Sequence, residues 1–269
     1  MTRSIRAYAT PVLVLILLLL LWEGGVRLFS APFYILPAPS RIFFVFFTRL
    51  PLLLSHAATT ILEIGLGMLL GASSGIGLAL LVFYSPSLER GIYPLIISSQ
   101  MIPIFAIAPL LVVWFGYGLW SKAIVAALIV FFPIVVNTVD GLRSVGGETI
   151  DLLRSLRASE WQIFRVVRLP ASLPFLFSGL KIGITLSVVG ATIGEWIGAK
   201  KGLGYLMIQS NALLRIDLVF ASIMTLSLLG LLLFGALRII EQQLLRWRTA
   251  GERSIRPGSC RNLPGTAGR

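Results

Sequence analysis

The chain has 269 residues, 57% of them hydrophobic and 13% charged, with a mean hydropathy of +0.91; that composition excludes an ordinary soluble domain. The formal net charge of +12 does not mark a nucleic-acid binder, because the basic residues are spread over segments flanking apolar runs, where they act as topology signals. Those runs last about 20 residues, the length a helix needs to cross a hydrocarbon core of roughly 30 Å, so the expected fold is an all-α membrane protein with six transmembrane helices.

Arg3 and Arg6 precede an apolar run over residues 8–22. Its unbroken leucines, with five further spans behind it, fit an uncleaved first helix with its N-terminus inside better than a secretory signal. Pro37 and Pro39 then break the helix beside Phe33 and Tyr34, aromatics suited to the outer membrane interface. Residues 41–54, interrupted by Arg49 and Pro51, read as an interfacial helix. The second span, 59–83, carries Gly65, Gly67, Gly71, Gly75 and Gly77, small residues that let helices approach closely. A short inner loop, 84–91, leads to the third span, 92–114, which contains Gln100, Pro103 and Pro109. Prolines and an amide at that depth are tolerated where a helix faces protein or a watery path, so this span is a candidate pathway wall.

An aromatic outer turn at 114–122 precedes the fourth span, 123–139. The fifth, 175–198, holds Glu195 near its outer end; an outer segment, 199–215, leads to the sixth, 218–237. The expected division is an inner N-terminus at 1–7, a transmembrane domain at 8–248 with an inner loop at 141–174, and a disordered inner tail at 249–269. On this topology sixteen of the 23 Lys and Arg lie inside, and only Arg27, Arg41, Arg49, Lys122, Lys200, Lys201 and Arg215 lie outside. That asymmetry places both termini and the 141–174 loop in the cytoplasm.

The loop contains the one polar break in the second half of the chain. Ile150, Leu153 and Leu156 recur at helical spacing, as do Trp161, Phe164 and Val167, with Ala158-Ser159 between them. This predicts an amphipathic helix-turn-helix whose polar face carries Arg154, Arg157, Arg165 and Arg168 beside Asp151 and Glu160. Pro170 and Pro174 are expected to end it before the fifth span.

Catalytic chemistry finds no support. There is no Gly-x-x-x-x-Gly-Lys-Ser/Thr, so the chain has no phosphate-cradling loop of its own, and energy, if used, must come from a partner. His56 is the only histidine and reads as an interfacial residue; Cys260 is the only cysteine and leaves neither a disulfide nor a metal site within one chain. No cofactor is expected. Glu63, Gln100, Asn137, Asp140 and Glu195 lie in or beside apolar spans, where an ionised group costs about 2.5–3.5 kcal/mol on insertion scales and so turns toward a bundle interior or cavity. Glu63 and Asp140 fall near predicted interfaces, solvated or paired. Gln100, Pro103, Asn137 and Glu195 are candidates for a translocation pathway, with helix-to-helix hydrogen bonding as the alternative.

The polar break resembles the EAA signature of permease subunits of binding-protein-dependent ABC importers. Asp151-Leu152-Leu153 stands at the Glu-Ala-Ala triplet, Arg157 at the following glycine and Val167-Arg168-Leu169-Pro170 at the terminal Ile-x-Leu-Pro. The resemblance implies a type I importer permease fold in the bacterial inner membrane. It implies that Asp151, Leu152, Leu153, Arg157, Ala158, Trp161, Leu169 and Pro170 couple to an ATP-binding subunit. A turn glycine often has positive φ, which costs a residue with a side chain roughly 1–2 kcal/mol, so either the turn is rebuilt around Arg157 or the partner's groove accepts an arginine. Leu36-Pro37-Ala38-Pro39, Gln100-Met101-Ile102-Pro103, Trp114-Phe115-Gly116-Tyr117-Gly118, Phe132-Pro133, Gly194-Glu195-Trp196 and Gly202-Leu203-Gly204-Tyr205 look like the nitrate, sulfonate and taurine branch. Within it, residues 131–142 and 174–181 are most similar to permeases for riboflavin and the pyrimidine precursor of thiamine. The implied assembly has two permease chains forming a homodimer, two ATP-binding subunits and an extracytoplasmic substrate-binding protein. The same importer class carrying aliphatic sulfonate, taurine or nitrate is the alternative cargo reading. A stand-alone ion-coupled carrier or channel, suggested by the intramembrane carboxylates, is the alternative class.

Overall fold

The computed structural model describes residues 2–246, with side chains from Thr10 onward; the tail expected at 249–269, Cys260 and the side chains of Arg3 and Arg6 lie outside the described residues. Its elements are α1 (Thr2–Leu28), α2 (Pro39–Thr48), α3 (Leu50–Tyr84), α4 (Pro86–Ser99), α5 (Ile104–Phe115), α6 (Leu119–Arg143), α7 (Gly147–Ser155), α8 (Glu160–Ile163), a π-helical turn (Phe164–Arg168), α9 (Leu169–Gly198), α10 (Leu203–Ala212) and α11 (Ile216–Leu244). No strand occurs among the described residues. Five segments are long and apolar enough to cross a membrane, and α4 with α5 makes a sixth that is broken by a bend of 99°.

The core is a layer of three helices, with α6 packed between α3 and α9. Small residues make this approach possible. A Cβ on Gly67 would lie 2.5 Å from Ala126 Cβ, and one on Gly71 would lie 2.8 Å from the Ala127 carbonyl. The predicted glycine seam therefore comprises Gly67, Gly71 and Gly75, which share a helix face at a four-residue step. Gly65 and Gly77 fall on the other side of α3, over open space. The α10 and α11 helices close one end of the core around Leu53, Leu203, Leu206 and Leu218. The first helix stays at the periphery, where Trp22 meets Phe220 with ring centroids 5.5 Å apart.

Three expectations are corrected. The stretch expected as an interfacial helix at 41–54 and a span at 59–83 is instead α2 followed by a 35-residue α3. Pro51 does not interrupt this helix: it lies in the first turn, where a missing N–H costs nothing. The third span is not one continuous helix. Its break falls at Gln100-Met101-Ile102-Pro103: a residue before proline is disfavoured in the α region, and Pro103 itself is extended (φ −63°, ψ 117°), with a new helix starting at Ile104. Pro170 and Pro174 do not end the polar motif. Pro170 stands in the first turn of α9, and α8, the π turn and α9 run on as one 39-residue segment from Glu160. The widened turn sits where the Pro170 ring would otherwise meet the carbonyl four residues back.

Candidate functional site

Two groups of polar residues stand at opposite ends of the bundle. At one end, α7 and α8 form the expected helix-turn-helix, and its turn is built from backbone chemistry. Arg157 has φ +57°; its N–H donates to the Arg154 carbonyl at 2.9 Å, and the Ala158 N–H donates to the Leu153 carbonyl at 3.0 Å. That pair of bonds is a Schellman cap, the commonest way a helix closes on a left-handed residue. The glycine-type turn is thus kept with an arginine in it, and the question left open by the sequence is answered against a rebuilt turn. The next helix begins with a capping box: Ser159 Oγ accepts from Gln162 N–H at 3.3 Å, and Gln162 Oε1 accepts from Ser159 N–H at 2.8 Å. Arg154 ties the two helices by reaching Glu160 at 2.8 Å and Asp151 at 3.7 Å.

Ile150, Ile163 and Phe164 are buried against the bundle. Phe164 packs on Tyr84 at the end of α3 with centroids 5.6 Å apart, and the Arg168 guanidinium lies 4.9 Å from the Phe83 ring centre. On the outer side of the motif Leu152 is 61%, Leu156 71%, Trp161 64% and Val166 68% exposed, with Trp161 stacked on Phe164 at 5.7 Å. Of the predicted coupling residues, Asp151, Leu152, Arg157, Trp161 and Leu169 are exposed, while Leu153, Ala158 and Pro170 are half-buried. Clustered apolar side chains facing outward on a motif this tightly capped make a surface suited to receiving another protein.

At the other end of α3, His56, Thr60 and Glu63 recur on one helix face and are all buried. His56 Nδ1 lies 2.9 Å from the Gly202 carbonyl and 3.1 Å from its N–H, and its ring is stacked with Tyr205. Thr60 Oγ1 donates to Glu195 Oε1 at 2.6 Å and accepts from Leu203 N–H at 2.9 Å. Glu195 Oε2 accepts from the Gly204 and Tyr205 N–H groups. Glu63, fully buried, pairs with Lys122 Nζ at 3.0 Å, and the Glu195 carboxylate lies beside it. Gly202 has φ +132°, and a Cβ there would collide with the Glu195 carboxylate, so both backbone and space require glycine.

This network corrects one assignment: Lys122 is 6% exposed and lies inside α6, not in an outer turn. His56 is buried within the protein, and Glu63 is paired, one of the two expectations for it. Asp140 is exposed. The four pathway candidates have separate surroundings. Gln100 and Pro103 are exposed at the break between α4 and α5, Asn137 donates to the Pro133 carbonyl at 2.7 Å on α6, and Glu195 is 1% exposed within the network. The network was missed at the sequence level although its signal is present, as three polar residues at positions i, i+4 and i+7 of an otherwise apolar span.

Residues 63–246 match the family described as "Binding-protein-dependent transport system inner membrane component". The chain is 41% identical to the formylaminopyrimidine transport permease of Halalkalibacterium halodurans, covering 92% of this chain and 99% of that one. It is 37% identical to the riboflavin transport system permease of Chloroflexus aurantiacus, covering 92% and 95%. Similarity to a putative aliphatic sulfonates transport permease of Bacillus subtilis is 31%, over 86% and 85%.

Proposed function

The chain belongs to the family of binding-protein-dependent transport system inner membrane components, the permease subunits of ABC importers, and on that premise we propose that it carries a vitamin-related heteroaromatic, riboflavin or the pyrimidine precursor of thiamine. Greater identity and coverage toward the formylaminopyrimidine and riboflavin permeases support this cargo over aliphatic sulfonate, taurine or nitrate. In this reading the chain catalyses nothing itself. Two copies form the pathway, each bound by an ATP-binding subunit, and a substrate-binding protein delivers cargo at the far face.

The observation that carries the coupling role is the capped α7–α8 motif with Leu152, Leu156, Trp161 and Val166 turned outward. Asp151, Leu153, Arg157, Ala158, Leu169 and Pro170 form the same motif and its junction with α9. In this reading both termini lie in the cytoplasm on the same side as this motif, which the charge asymmetry supports. Phe164 against Tyr84 then connects the ATP-binding subunit to α3 and the core. Gln100 and Pro103, exposed at the break, are the pathway residues best placed to meet solute. Glu195 ties α9 to α3 and α10 through Thr60, Gly204 and Tyr205, while Asn137 bonds within α6 to the Pro133 carbonyl. The family match favours the importer over an ion-coupled carrier. Glu63 pairs with Lys122 through one oxygen, its other oxygen being buried without a hydrogen-bond partner, and Glu195 is held by Thr60 and two backbone N–H groups.

The test is to tag the C-terminus, extract the assembly in mild detergent and identify what co-purifies. An ATP-binding subunit in equal amounts is expected, and a flavin or pyrimidine on the associated binding protein. Deleting residues 157–161 is expected to abolish uptake and leave membrane insertion intact. Normal uptake after that deletion, or a reproducibly lone chain, would overturn the assignment.

A further inference from the structure

At the end of the bundle away from α7 and α8, α2, the Arg49 junction before α3 and the first turn of α11 line an open cavity of about 630 Å³ that includes Ser40, Arg41, Phe44, Arg49, Arg215 and Asp217. Its charges do not balance. Asp217 accepts from Arg41 Nε at 3.1 Å and from Leu218 N–H at 2.9 Å. Glu23, the next carboxylate, takes both donors of Ser40 and pairs with Arg27. Arg49 and Arg215 have no carboxylate partner among the described residues, and both are exposed at the cavity.

The backbone reinforces this excess. Arg49 immediately precedes α3 and Arg215 immediately precedes α11, so both arginines stand at helix N-termini, where the backbone carries a partial positive charge; at α11 the Leu218 N–H is taken by Asp217. Leu214, at φ +55°, makes the left-handed turn after α10, and the next N–H, that of Arg215, donates to the Ser210 carbonyl at 2.8 Å. The arginine is thereby held at the cavity by a fixed cap. Beside the opening, Phe44 and Phe47 on α2 are 68% and 67% exposed, an apolar surface at the edge of the membrane-spanning region.

An anion with several acceptor oxygens fits the arginine pair, since guanidinium forks match phosphate geometry. The exposed phenylalanines call for an apolar continuation of the same molecule. We propose that this cavity binds a phosphate group, carried by an anionic phospholipid whose chains lie along α2. The site is independent of which solute the importer carries.

The full chain, with its ATP-binding subunit, would be taken from nanodiscs holding equal phosphatidylglycerol and phosphatidylcholine and weighed by native mass spectrometry. In parallel, lipid-depleted protein would be heated with increasing inorganic phosphate. Preferential retention of phosphatidylglycerol is expected, reduced about tenfold in Arg49→Gln with Arg215→Gln, as loss of charge-assisted phosphate bonds implies. It should be unchanged in Arg90→Gln and largely kept in Arg49→Lys with Arg215→Lys, which shows that the double glutamine variant fails through charge and not through misfolding. Stabilisation by inorganic phosphate that needs both arginines, without any lipid preference, would assign the site to a soluble anion and overturn the lipid. Equal retention of the two lipids with no response to phosphate, or retention indifferent to both arginines, would overturn the site altogether.

Discussion

Arg157 shows how far a single side chain can depart from a pattern without dissolving it. The backbone bonds to Arg154 and Leu153 hold the left-handed turn, so the cost of the side chain is local strain of roughly 1–2 kcal/mol. Arg157→Gly is therefore expected to raise the unfolding midpoint by about 2–4 °C for each kcal/mol relieved in a chain of this size, read by thermal unfolding of the detergent-solubilised chain. Uptake by the variant shows whether the positive charge is also used by the partner. The opposite sign is expected at Glu63. Glu63→Gln leaves the Lys122 ammonium buried without its ion pair, a loss of about 3–5 kcal/mol when one partner of such a pair is removed. Folded yield should fall sharply, and Glu63→Gln combined with Lys122→Met should recover most of it. Equal yields from the single and double variants would show that the pair contributes nothing to folding.

At the scale of elements, the capping box makes α8 start at Ser159. Ser159→Ala is expected to cost about 1 kcal/mol of helix stability, seen as faster hydrogen exchange over 159–168 and as weaker retention of the ATP-binding subunit. Leu152→Asp with Trp161→Asp should reduce that retention more strongly, about tenfold or beyond, with membrane insertion unchanged, because two large apolar contacts are lost at once. The helix-turn-helix itself was legible in Ile150, Leu153, Leu156 and Phe164, since an amphipathic motif states its period locally. The proline positions were less so. Pro51 and Pro170 occupy first turns, Pro133 and Pro174 sit inside helices, and Pro103 breaks a span; a ring that lacks an N–H is compatible with all three situations, and tertiary packing selects among them. Likewise the stripe of His56, Thr60 and Glu63 was readable as a polar face. Its partners were not, because Lys122, Glu195 and Gly202 are brought to it only by the packing of α3 against α6 and α9.

For the whole molecule, the arrangement predicts that the two capped turns lie on opposite sides of the membrane. In a Cys260→Ser background, a single cysteine at Leu214 should react with an impermeant maleimide in intact spheroplasts, and one at Leu156 only after permeabilisation. Labelling of both from the same side would overturn the six-span topology. The glycine seam of α3 also limits how these ends can move relative to each other. With 35 residues at about 1.5 Å each, α3 is about 52 Å long, well beyond a hydrocarbon core of roughly 30 Å. It carries the Tyr84 contact with Phe164 near one end and the His56 and Thr60 contacts with the 202–204 turn near the other. A rod of that length acts as a lever: a tilt of about 10° about its middle swings each tip by between 4 and 5 Å, on the order of one helical rise per turn. A push at Phe164 and a shift of the Gly202 corner are then two ends of one rotation, with the close-packed middle as fulcrum.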